Sequence, residues 1–253
     1  VEPVINIKNV SFNYKRKNIL KNISMDVNQG EFLAFVGPNG SGKTTLMKIL
    51  VGELTPDSGT ITMLGTPLED FNSWTRIGYI SQEVKAFNPS FPATVKEIIG
   101  ANLYSRLGFF KLLNREAKKE IDRVLDLVDM KEFKYRQLGS LSGGQKQRIF
   151  IARTLVNDPE LILLDEPLVG VDGAAQDRFF RLINKLNRQL GITVIMISHD
   201  IHVISSEATR VVCFSGGHIF IHEADNFDYD NYHCDTVGEN RFIPDHEHGA
   251  GDR

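Results

Sequence analysis

The chain has 253 residues, 42% hydrophobic and 24% charged, with a formal net charge of −3. That is the balance of an ordinary globular protein, sized for one large domain or two modest ones, and no apolar run approaches the ~20 residues that a membrane-crossing helix needs. Two cysteines, Cys213 and Cys234, cannot make a disulfide framework and suit a reducing compartment. The N-terminus lacks a basic stretch followed by an apolar core, so no secretory signal is expected. The small net charge hides a division: residues 222–253 hold nine Asp/Glu against two Arg, a net −7, which leaves +4 on the remainder. A slightly positive body without clustered Lys/Arg argues against nucleic acid as a partner.

Short apolar runs at 4–10, 19–27 and 32–36, separated by polar turns such as Asn28-Gln29-Gly30, predict strands. After the glycine-rich stretch 37–42 the pattern becomes helical over 44–50 and stops at Gly52. Thr55-Pro56-Asp57-Ser58-Gly59 is a turn by composition, and 60–64 and 77–81 are strand-like. Helical spacing then covers 95–130, where Ile121, Val124, Leu125 and Val128 fall on one face. Strands return at 161–164 and 193–197, separated by a helical pattern over 174–190 that Gly191 closes; Cys213 lies in another strand-like run. A strand-helix-strand unit implies a parallel sheet and an α/β fold.

Gly37-Pro38-Asn39-Gly40-Ser41-Gly42-Lys43-Thr44 satisfies the spacing of a P-loop, with a strand before it and a helix after it. Glycines let the backbone curl around phosphate oxygens, and the following helix adds its N-terminal partial charge. Lys43 is expected to reach the β- and γ-phosphates, Thr44 to take a position in the shell of Mg²⁺, and Thr45 to support the α-phosphate. The apolar run 161–164 then delivers Asp165 and Glu166 at a strand end. Asp165 suits Mg²⁺ through a water, and Glu166, placed on the opposite side of the strand by period two, suits a general base on the attacking water. Guanine specificity would need Asn-Lys-x-Asp. The nearest stretch, Asn184-Lys185-Leu186-Asn187, lacks the carboxylate and is expected on a helix surface. Leu141-Ser142-Gly143-Gly144-Gln145 opens a second glycine-loosened helix, with Ser142 as N-cap. One chain with two such phosphate-facing half-sites points to a head-to-tail dimer.

With these elements in order, the chain resembles the nucleotide-binding subunits of ABC transporters over roughly residues 4–220. The resemblance implies a P-loop NTPase fold with a RecA-like core, an antiparallel β subdomain and an inserted α-helical subdomain near 83–155, within a nucleotide-binding domain of 1–221. It also implies that Tyr14 stacks on adenine, that Gln82 touches Mg²⁺ and links to the membrane subunit, and that Ser142, Gly143, Gly144 and Gln145 contact the partner chain's γ-phosphate. Asp172 takes the D-loop position, and His199 senses the γ-phosphate. ATP and Mg²⁺ are the implied cofactors. The implied partners are a second copy, integral membrane permease subunits and, indirectly, an extracytoplasmic metal-binding protein, with the chain peripheral on the cytoplasmic face of the membrane. Leu168 departs from the small hydroxyl residue of many relatives. Residues 87–95 and Val169-Gly170-Val171-Asp172 are similar to the ATPases of bacterial zinc and manganese importers, which implies zinc first and manganese second as cargo. A non-transport ABC-type ATPase is the rival reading, disfavoured by a single motif set without a long coiled-coil insertion.

The nucleotide motifs end at His199, so the acidic segment 222–253 is separable from them. It holds His222, His233, Cys234, Asp245, His246, Glu247 and His248, side chains that suit zinc, although their spacing fits no closed structural zinc pattern and the composition is that of a solvated tail. A chain ended after Phe227 is expected to keep its ATPase rate, measured as phosphate release. An unchanged response of that rate and of transport to added zinc would mark the tail as solvating only.

Overall fold

The computed structural model describes residues 2–15, 17–81, 92–103, 115–168, 171–198 and 207–227. Its centre is a six-stranded sheet ordered β10-β9-β3-β8-β7-β6. The strands are β3 (Phe32–Val36), β6 (Ile77–Ile80), β7 (Leu161–Asp165), β8 (Thr193–Ile197), β9 (Arg210–Ser215) and β10 (His218–Glu223). All neighbours run parallel except β10, which pairs antiparallel with β9 at the edge. A second sheet, ordered β2-β1-β4-β5, is antiparallel: β1 (Ile5–Tyr14), β2 (Lys17–Val27), β4 (Ser58–Met63) and β5 (Thr66–Pro67).

Every residue of β3, β7 and β8 is buried. Covered on both faces, these strands need no polar alternation, which is why they read as continuous apolar runs. Their pleat sends alternate side chains into two cores. On one face Leu33, Phe35, Leu161, Leu163, Ile195 and Ile197 join α1 (Lys43–Leu50) and the antiparallel sheet. On the other, Phe32, Ala34, Ile162, Leu164, Val194 and Met196 join the remaining helices. Those helices are α2 (Val95–Ala101), α3 (Arg115–Leu127), α4 (Gly143–Leu155) and α5 (Gly173–Asn184). Helix α2 opens on a capping box between Thr94 and Glu97. The face predicted from spacing, Ile121, Val124, Leu125 and Val128, is buried as expected.

Two expectations change. The helical pattern over 174–190 is α5 followed by a π-helical turn, Lys185–Gln189, before Gly191 turns at φ +68°. The wider turn carries Asn187 inward rather than onto the helix surface. It is 7% exposed, and its Nδ2 donates to the carbonyls of Gly30 (2.8 Å) and Ile192 (2.8 Å), tying the end of this helix to the loop before β3. An amide spent on backbone carbonyls offers nothing to a guanine ring. At the C-terminal end the sheet runs past the boundary placed at 221: His222 and Glu223 pair with Val211 and Arg210 in β10. Finally, residues 87–91, Val169 and Gly170, and the tail residues from His233 to His248, lie outside the described residues.

Asn187→Ala leaves two carbonyls without their donor, and such losses cost about 1–3 kcal/mol. A lower urea midpoint at unchanged slope would register it.

Candidate functional site

The strand ends create the site. The loop after β3, the carboxylates ending β7 and the exit of β8 stand at the C-terminal ends of three adjacent parallel strands, where open α/β sheets bind ligands. Within the loop, Gly37, Gly40 and Gly42 take φ of +141°, +76° and +110°. At Gly37 and Gly42 the demand is also steric: a Cβ would lie 2.5 Å from the Phe214 carbonyl oxygen and 2.6 Å from Leu20 Cδ2. The β9 neighbour and β2 thus pin the loop from two sides. Helix α1 starts at Lys43 with Gly42 as N-cap and no side-chain cap, so its first N–H groups face outward toward whatever the loop encloses. The Lys43 ammonium, on a side chain only 5% exposed, donates to the carbonyls of Gly37 (2.8 Å) and Pro38 (2.9 Å).

Thr44 projects from the first turn of α1 and donates through Oγ1 to Asp165 Oδ1 at 3.3 Å. The hydroxyl expected in the shell of Mg²⁺ and the carboxylate expected to hold that ion through a water therefore converge, although their residues stand far apart in sequence. They are hard donors of the kind this ion takes, which is the fit the site requires. Asp165 is 2% exposed, and burial pushes its carboxyl above the ordinary carboxylate range. The Thr44 hydrogen bond opposes that rise, the Glu166 charge adds to it, and Lys48 and Lys43 counter it.

Glu166 differs from its expected placement. Strand β7 ends at Asp165, and Glu166 adopts φ +48° while its N–H donates to the Ile197 carbonyl at 3.1 Å. A left-handed turn, rather than strand alternation, sets the direction of its carboxyl. For a residue with a Cβ that conformation costs about 1–2 kcal/mol, the kind of strain that persists where surrounding structure enforces it.

The second set of residues sits on α4 and α5. Ser142 caps α4 as expected: its hydroxyl accepts from the Gln145 N–H, and Gln145 Oε1 accepts from the Ser142 N–H at 2.9 Å. The two glycines separate in role. A Cβ on Gly144 would lie 2.8 Å from Ala175 Cβ, so its absence lets α4 approach α5, whereas Gly143 has nothing within 4 Å. Asp172 caps α5, accepting from the Ala175 N–H at 3.0 Å. Tyr14 ends β1, 46% exposed, with Phe12 edge-on at 4.9 Å between ring centroids. Gln82 and His199 lie outside the described residues, and the strands leading to them, β6 and β8, occupy the edge and middle of the sheet.

Two influences on the site are not legible in the sequence. Lys48, one turn beyond Thr44, acts on the Asp165 charge. Gln147 donates from Nε2 to the Pro167 carbonyl, joining α4 to the residue after Glu166. Nothing in local spacing marks either; both depend on which helix meets which strand.

The raised Asp165 carboxyl has a sign. A folded-state value above the unfolded one favours the native state at low pH, and that advantage is lost as pH rises through the raised value. Asp165→Asn is therefore expected to raise the thermal midpoint at about pH 8 while removing ATP turnover. The gain should shrink toward about pH 4, near the ordinary Asp value. Equal midpoints for both proteins across that range would remove burial as the dominant cause.

The chain matches the ABC transporter family over residues 20–169. It is 40% identical over 235 residues to the zinc uptake system ATP-binding protein ZurA of Listeria monocytogenes, covering 93% of this chain and 91% of that protein. It is 35% identical over 214 residues to the high-affinity zinc uptake system ATP-binding protein ZnuC of Bacillus subtilis, covering 85% and 92%. Among solved structures, it resembles an inward-facing metal-chelate type ABC transporter (27% identity, TM-score 0.78, covering 89% of this chain and 85% of that one). It also resembles the dimeric ATP-binding cassette MJ0796 bound to ADP and Pi (27%, TM-score 0.75, 88% and 100%). Such matches, over a P-loop fold whose carboxylates end the strands beside the loop, mean that the chain belongs to the ABC transporter family as one of its ATP-binding subunits.

Proposed function

We propose that this chain hydrolyses ATP to energise zinc uptake, as a head-to-tail homodimer attached to integral membrane permease subunits on the cytoplasmic face. The observation that carries the ATPase reading is the contact between Thr44 on α1 and buried Asp165 on β7, with Lys43 preceding the one and Glu166 following the other in the chain. The zinc reading is supported by relatives named as zinc uptake subunits that align over most of this chain. An extracytoplasmic metal-binding protein would supply the permease. Among the described residues no helix is long and apolar enough to cross a membrane, so the pathway for the ion belongs to the partner subunits in this reading.

In the mechanism, the N–H groups of the loop and of α1 hold the β- and γ-phosphates, and Lys43 exchanges loop carbonyls for phosphate oxygens. Thr44, Asp165 and Gln82 would hold Mg²⁺, which supplies charge neutralisation on the phosphates when bound. Tyr14 offers an exposed ring for adenine, and Glu166 takes the proton from the attacking water. The exposed start of α4, with Ser142 satisfied by Gln145 and open space beside Gly143, presents its N–H groups to the γ-phosphate held by the other copy. Asp172, capping α5, would line that junction, and His199 would sense the γ-phosphate. Hydrolysis removes the charge that draws two helix N-termini together, so the dimer opens and the permease is driven.

Glu166→Gln should lower phosphate release about 10²- to 10⁴-fold, the usual weight of a general base. The variant should retain ATP and elute as a dimer on a sizing column; turnover at the ordinary rate would exclude Glu166 as the base. In a strain lacking this subunit, the unaltered chain should restore uptake of labelled zinc and Glu166→Gln should not. Restored manganese uptake without zinc would overturn the cargo assignment.

A further inference from the structure

Helix α4 and strand β7 serve different nucleotides in the reading above: the start of α4 faces the partner's, and Glu166 acts on this chain's own. A set of contacts ties them together. Gln147, in the second turn of α4, donates from Nε2 to the carbonyl of Pro167, the buried residue that follows Glu166. From there the Leu168 carbonyl accepts from Val171 N–H at 3.2 Å, and the Val171 carbonyl accepts from Gln176 Nε2 on α5 at 3.1 Å. One turn before Gln147, Gly144 lies against Ala175 so closely that a Cβ would be 2.8 Å from the Ala175 Cβ. The segment after the catalytic carboxylate is thus fastened at one end to α4 and at the other to α5.

Gln147 is the polar link on the α4 side of that set, and it works in one direction. Its Nε2 donates, while its Oε1 is buried and makes no hydrogen bond. The Pro167 carbonyl can only accept, so the link requires a donor at the reach of the glutamine amide. A group chosen only to fill space there would be apolar, since an amide oxygen buried without a partner is costly.

We propose that Gln147 is a positioning residue that holds the start of α4 in register with the Glu166–Pro167 turn, so that the loop offered to the partner's phosphate and the base acting on this chain's own are set as one unit. The inference rests on the ATPase reading above. Gln147 acts through Pro167 and the first turns of α4. Its loss therefore lowers turnover without weakening the nucleotide's grip in the loop after β3.

The test is steady-state ATPase of the full chain carrying Gln147→Met, which keeps the length and removes the donor, and Gln147→His, whose Nε2–H replaces it at similar reach. Gln147→Met should lower kcat about five- to tenfold, the rate equivalent of one lost hydrogen bond, with KM for ATP unchanged. Gln147→His should recover at least half of the original kcat. In a Glu166→Gln background, Gln147→Met should need several-fold more ATP to trap the dimer. Full kcat in Gln147→Met overturns the proposal, as does an equal loss in both variants accompanied by a lower thermal midpoint, which would make the side chain packing alone. If Glu166→Gln by itself traps no dimer, the dimeric ATPase reading fails first, and the kcat comparison between Met and His still decides whether the donor matters.

Discussion

A carboxylate almost without solvent, at the end of a strand with no other polar residue, is the arrangement on which the rest of the site depends. Asp165 is carried there by Leu161, Ile162, Leu163 and Leu164, all fully buried between two cores. Burial alone would drive that carboxyl toward its neutral form. What keeps it usable is α1: Thr44 donates to it, and the positive charges of Lys48 and Lys43 bear on it. The same helix is buried on its other residues, Leu46, Met47, Ile49 and Leu50, against the antiparallel sheet. The second sheet therefore serves the chemistry indirectly. It covers α1, α1 fixes Thr44, and Thr44 meets Asp165.

The parts of this arrangement that are local in sequence were readable in advance. The P-loop is legible because its glycines, lysine and threonine act within eight residues, and backbone torsions there are set by residue type. The strands β3, β7 and β8 are legible because a strand buried on both faces has no polar alternation to obscure it. Ser142 and Gln145 form their capping box three residues apart, again a local relation. The placement of Glu166 was not legible, because period two holds only while the chain remains a strand, and the strand ends one residue earlier. Asn187 was misplaced for a related reason: a π-helical turn changes which residues share a face, and nothing in the composition of 185–189 announces it. Gln147 is not marked by local spacing, since the carbonyl it meets follows a strand distant in sequence.

Glu166 shows what fixes a functional direction once alternation fails. Its left-handed torsion is unfavourable for a residue with a Cβ, yet three features enforce it. Its own N–H is held by the Ile197 carbonyl on β8, the preceding residue is locked to Thr44, and the following residue's carbonyl accepts from Gln147. Each neighbour comes from a different element, so the turn is rigid only when sheet, α1 and α4 are all in place. This links the strain at one residue to the assembly of the whole chain.

The two glycines at the start of α4 separate what the chain requires for itself from what it requires for something else. Gly144 is explained internally, because any side chain would collide with Ala175 and push α4 away from α5. Among the described residues Gly143 has no such neighbour, and it opens α4 as the first residue after the cap. Among the described residues Gly143 relieves no contact, and its missing Cβ leaves the start of α4 open to close approach by another group. The N–H groups of Gly143 and Gly144, at the positive end of α4, suit an anionic group at that opening.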